Sequence, residues 1–125
     1  FVTLFITQMY KELVEKANLN LRRGEKDTAI LKRNTYFVLD EFANLPKFEN
    51  IEGMVTVARS RGIRFLFVLQ SYSQLTAKYG RDVGDIIKTN CNVKIFIGTD
   101  DSDTRKEFSE LCGNLADDTT DFFFL

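Results

Sequence analysis

A chain of 125 residues with 44% hydrophobic and 28% charged side chains has room for one small domain and too much apolar character for a disordered segment. Its formal net charge of −1 gives no overall attraction to nucleic acid, although seven Lys/Arg face four Asp/Glu in residues 1–34 and two face seven in residues 101–125, so a local basic face is allowed. The absence of histidine excludes His-ligated metal sites and His-based triads.

Along the chain, Val2, Phe5, Ile6, Met9, Tyr10, Leu13, Val14 and Ala17 recur at helical spacing, with Lys11, Glu12, Glu15 and Lys16 opposite. An amphipathic helix of about four turns is expected there. Phe1–Ile6 lacks the basic start and cleavage region of a signal peptide, and no apolar run approaches the roughly 20 residues of a membrane span. The stretch from Asn18 to Asn34 reads as a polar loop.

Tyr36-Phe37-Val38-Leu39 is a short apolar run closed by Asp40-Glu41. Ile63–Leu69 and Val93–Ile97 are two more, each with one cation inside. Continuous apolar character predicts strands covered on both faces, as in parallel sheets. Between them, residues 50–61 place Ile51, Met54, Val55 and Ala58 on one stripe, and residues 72–89 predict one or two further helices. Asp100-Asp101-Ser102 offers caps for a last helix, with Phe108, Leu111 and Cys112 as its apolar face and Gly113 as its stop. Cys91 and Cys112 lack metal-type spacing and read as reduced, buried thiols. The alternation predicts a three-layer α/β fold with a mostly parallel sheet.

Ligands of such sheets bind beyond the carboxyl ends of the strands. Asp40-Glu41, Gln70-Ser71 and Thr99-Asp100 fall at those ends. An apolar strand followed by Asp-Glu is the Walker B pattern. The first acid serves the Mg²⁺ shell on nucleotide phosphates, and the second polarises the attacking water. A solvated strand cap is the plainer alternative. Gln70, ending the next strand, has an amide suited to a γ-phosphate or to the lytic water. Arg59, Arg61 and Arg64 cluster near a helix C-terminus, which the helix dipole favours on its own; an arginine finger acting on a neighbouring subunit's nucleotide is the sharper option. No Gly-x-x-x-x-Gly-Lys-Ser/Thr phosphate loop is present, since Gly80-Arg81-Asp82-Val83-Gly84 lacks the Lys-Ser/Thr. The chain opens at Phe1 inside a periodic pattern and closes on Phe122-Phe123-Phe124-Leu125, a run suited to a buried strand. The expectation is an excised piece whose phosphate-binding half lies upstream.

The blocks Phe37-Val38-Leu39-Asp40-Glu41-Phe42-Ala43-Asn44-Leu45, Ala58-Arg59-Ser60-Arg61-Gly62-Ile63-Arg64, Leu69-Gln70-Ser71-Tyr72-Ser73-Gln74-Leu75 and Asn90–Thr99, in this order, resemble the TraG/TraD family. These are the coupling proteins of type IV secretion in bacterial conjugation. The resemblance covers about residues 1–113. It implies a RecA-like (P-loop NTPase) fold, of which residues 1–125 form the Walker B portion without the Walker A strand and loop, residues 114–125 being an unassigned tail. It implies a homo-hexameric ATPase on the cytoplasmic face of the inner membrane, using ATP and Mg²⁺ to pass single-stranded DNA and its relaxase to the secretion channel. By position, Asp40 and Glu41 match the Walker B acids, Gln70 the sensor glutamine and Arg59 the arginine finger, with Arg61 the second candidate. The fragment alone is expected to bind no nucleotide tightly and to self-associate through unpaired strand edges. Another DNA-translocating motor of the same superfamily and a non-enzymatic α/β docking module are the competing readings.

Overall fold

The computed structural model describes residues 1–25 and 28–113. Its elements are α1 (Val2–Arg22), β1 (Thr35–Leu39), α2 (Ile51–Ala58) with a 3-10 turn at Arg59–Arg61, β2 (Ile63–Phe67), α3 (Tyr72–Tyr79), α4 (Arg81–Asn90) and α5 (Ser102–Cys112). The fold is α/β, around a small sheet. β1 and β2 pair in parallel, with Thr35 opposite Ile63 and Leu39 opposite Phe67. The Phe42, Phe48, Ile51, Ile63, Leu75 and Ile87 side chains are fully buried and form the centre of the core.

α1 is longer than its apolar stripe predicts. Nothing breaks it at Asn18, because Leu19 and Leu21 sustain the helix and the buried Asn20 finds a partner, its Nδ2 donating to the Ile30 carbonyl at 3.0 Å. The chain turns only at Gly24, at φ 68°, a conformation open to glycine without steric cost. Tyr10 docks α1 on the core, its hydroxyl donating to the Met54 carbonyl at 3.1 Å. Val2, Phe5 and Met9, at the amino-terminal end of the same stripe, are exposed, as is Leu4 beside them. No described helix is long and apolar enough to cross a membrane.

The strands depart from expectation on one face. Phe37 and Leu39 are buried, and Phe65 and Phe67 pack with them, with Phe37 and Phe65 stacked at 5.2 Å. Tyr36, Val38 and Leu66, on the opposite face, are 66%, 63% and 52% exposed. Among the described residues the sheet is therefore covered on one side, where both were expected.

The third predicted strand does not form. Val93–Ile97 has no ladder, and Val93 and Ile97 are 80% and 97% exposed. A strand exists only through a partner, and among the described residues no strand lies beside this segment. Among the described residues β1 and β2 pair only with each other. Residues 72–89 divide into two helices at Gly80, where φ is 85°. Cys91 is half-buried, and burial pushes its thiol up; Cys112 is exposed rather than buried. The Phe122–Leu125 run lies outside the described residues.

Candidate active site

β1 and β2 deliver their ends to one edge. Pairing continues past the strands, with the Val68 amide donating to the Leu39 carbonyl and the Phe42 amide to the Val68 carbonyl, each at 3.0 Å. Asp40-Glu41 and the Val68–Gln70 segment therefore leave the sheet side by side. Asp40, Glu41 and Gln70 are all exposed.

The turn at Glu41 is unusual. Its φ is 45°, the sole non-glycine residue with positive φ among those described. The left-handed region costs an ordinary L-residue roughly 1–2 kcal/mol, and such strain persists where surrounding structure enforces it. The Glu41 amide donates to Asp40 Oδ1 at 3.0 Å, and Asn44 Nδ2 donates to Glu41 Oε2 at 3.1 Å. The Asn44 amide closes the turn on the Glu41 carbonyl at 2.7 Å.

What enforces the turn is the residue after it. Phe42 is fully buried, with its ring 4.6 Å from that of Phe67, 5.4 Å from Tyr79 and 5.9 Å from Phe48. Lys78 on α3 donates from Nζ to the Ala43 carbonyl at 2.7 Å, and partial burial lowers its pKa. The Tyr79 hydroxyl accepts from the Phe48 amide at 3.3 Å. Phe42, Lys78 and Tyr79 carry no site role in the sequence pattern, although Phe42 stands in the family block and Tyr79 among the apolar positions of residues 72–89. The available signal was a pair of aromatics, Phe42 and Phe48, inside a polar loop, because large rings there need a place to be buried.

Gln70 lies in the β2–α3 turn, its Oε1 accepting from Gln74 Nε2 at 3.2 Å. Ser71 caps α3, accepting from the Gln74 amide. Asp101 caps α5 in the same way, as its sequence position predicts.

The arginines lie elsewhere. Arg59 and Arg61 precede β2, so they stand at the amino edge, a strand length from the acids. Arg61 Nη1 donates to the Ala29 carbonyl at 3.1 Å and holds the loop before β1. Arg64 Nη1 donates to the Arg59 and Ile63 carbonyls at 3.0 and 3.1 Å. The Arg59 side chain is exposed and makes no hydrogen bond among the described residues. Asp40, Glu41 and Gln70 come together; Arg59 does not join them within one chain.

Two neighbouring exposed carboxylates are oxygen donors of the type Mg²⁺ takes, and they are too few to cage it alone. They fit an ion held chiefly by nucleotide phosphates and water.

Residues 34–121 match the family model described as the TraM recognition site of TraD and TraG. The chain belongs to the TraG/TraD family. It is 34% identical over 83 residues to Protein VirD4 of Agrobacterium fabrum, a match covering 66% of this chain and 12% of that protein. It is 36% identical over 77 residues to Protein VirD4 of Rhizobium radiobacter, covering 62% and 11% respectively. The TraG/TraD segment described here thus spans about an eighth of its curated relatives' length. No solved structure matches.

Proposed function

We propose that this chain is the acid-bearing portion of the ATP-driven motor in a type IV coupling protein, with a RecA-like core completed by residues outside it. The observation that carries the reading is the shared edge: a parallel strand pair presents Asp40, Glu41 and Gln70 together, beyond its carboxyl ends. Membership of the TraG/TraD family supports it. The remaining features extend the same proposal: a homo-hexamer at the cytoplasmic face of the inner membrane, with relaxase and single-stranded DNA as cargo for a secretion channel.

When bound, Mg-ATP supplies the scissile phosphoanhydride and the charge that holds its phosphates in line. Asp40 would hold the accompanying Mg²⁺, directly or through water. Glu41, exposed and unpaired with any cation among the described residues, accepts a proton from the attacking water. The left-handed turn presents its carboxylate, and Asn44 orients it. Gln70 hydrogen-bonds the γ-phosphate or that water. Arg59, free at the opposite edge, reaches a nucleotide held by the next subunit.

Asp40→Asn in a full-length coupling protein carrying this segment tests the reading. The expected outcome is a higher Mg²⁺ requirement and at least a tenfold loss of ATP turnover. Unchanged turnover and Mg²⁺ dependence favours the second reading, a docking module for a TraM-like partner, which the description of the matched family supports.

A further inference from the structure

α5 was expected to follow a third strand, yet it is fastened to the molecule without one. The fastening lies at its amino end and grips the turn that bears Gln70. Thr104 is 4% exposed, and its Oγ1 accepts from the Tyr72 amide at 2.9 Å. Tyr72 is the first residue of α3, and its amide is one that the helix itself cannot satisfy. The Thr104 hydroxyl donates in turn to Asp101 Oδ2, which also accepts from the Thr104 amide at 2.8 Å. The other oxygen, Oδ1, accepts from the Ser73 hydroxyl at 2.7 Å. One carboxylate thus caps α5 and ties it to α3.

A second contact steadies the same point. Lys88 Nζ bonds Glu107 and Asp85, each at 3.0 Å, and lies 5.0 Å from the Tyr72 ring centroid. Phe108 of α5 stacks on that ring at 5.6 Å. Tyr72 is therefore held through its backbone and its side chain, two residues after Gln70.

We infer that Thr104 and Asp101 are positioning residues for Gln70: α5 fixes the β2–α3 turn and thereby the direction of the Gln70 amide. The inference rests on the motor reading of Gln70 given above. Neither residue touches the reacting atoms. Displacement of a reacting or orienting group by about 1 Å can cost up to a hundredfold in rate, so a loosened turn acts on kcat rather than on nucleotide binding.

Thr104→Val conserves shape and removes the hydroxyl. In a full-length coupling protein with this segment in place, it is expected to lower the kcat for ATP about tenfold or more with KM unchanged, and Thr104→Ser is expected to restore it. In a Gln70→Ala background, Thr104→Val should cost nothing further, since residues acting through one another are not additive. A folded Thr104→Val protein, judged by an intact thermal transition, with wild-type kcat overturns the inference, as does full additivity with Gln70→Ala. Loss of activity only in proportion to folded protein lost also overturns it. Glu41→Gln assayed alongside separates the two levels: if that variant keeps its turnover, the motor reading itself fails.

Discussion

The two edges of the strand pair use their polar residues in opposite ways. At the carboxyl edge, Asp40, Glu41 and Gln70 are exposed, while the backbone beneath them is pinned by the buried Phe42 and by Lys78 and Tyr79 of α3. At the amino edge, Arg61 and Arg64 spend their guanidinium groups on backbone carbonyls, and Arg59 alone of the three makes no side-chain hydrogen bond among the described residues. Exposed side chains over a rigid base, bonded only to near neighbours in the chain, suit chemistry. Side chains turned back onto the backbone suit loop support. Of these arginines Arg59 is the one exposed and without a side-chain hydrogen bond among the described residues.

The sharpest way to break this contrast is to remove the anchor. Phe42→Ala should destabilise the fold by about 3–5 kcal/mol, read from urea denaturation, whereas Tyr36→Ala on the uncovered face should stay within about 0.5 kcal/mol. Equal losses would show that the open face is packed in solution. At the other edge, Arg61→Ala should cost about 1 kcal/mol through the hydrogen bond to Ala29. Arg59→Ala should leave stability within about 0.5 kcal/mol and lower ATP turnover in the assembled protein.

Smaller effects sharpen the same picture. Glu41→Gly relieves the left-handed backbone and should raise stability by up to about 1 kcal/mol while removing turnover, an exchange expected where strain serves function. Asp101 gives a pH effect. Hydrogen bonds from the Thr104 side chain, Ser73 and the Thr104 amide hold its carboxyl below the ordinary value of 3.8. A depressed folded-state value favours the folded state at higher pH, so this contribution is complete above that ordinary value and is lost as pH falls through the lowered one. Asp101→Asn should flatten that acid limb in a stability–pH titration.

Much of this was legible because it is local. A short apolar run ending in two acids needs few neighbours to be read as β1 and its edge. Gly113, expected as the stop of the last helix, adopts positive φ at the end of α5. The parallel pairing of β1 with β2 also follows from the helix between them. The Val93–Ile97 expectation failed because strand formation depends on a partner that composition does not supply. Tyr36 and Val38 are exposed for a similar reason, since an apolar side chain does not specify what lies over it. Phe42 stands in the Phe37–Leu45 block, but its burial under α3 is a contact across more than thirty residues, invisible to periodicity. The Thr104 contact with Tyr72 is equally distant.

Under the proposed motor function, Glu41 activates the water that cleaves ATP. The most direct test of that role is turnover and nucleotide affinity for Glu41→Gln in a full-length coupling protein bearing this segment. ATP binding within about twofold of the unsubstituted protein is expected, with kcat reduced on the order of 10²-fold or more, as for loss of a general base. Wild-type turnover in that variant would contradict it.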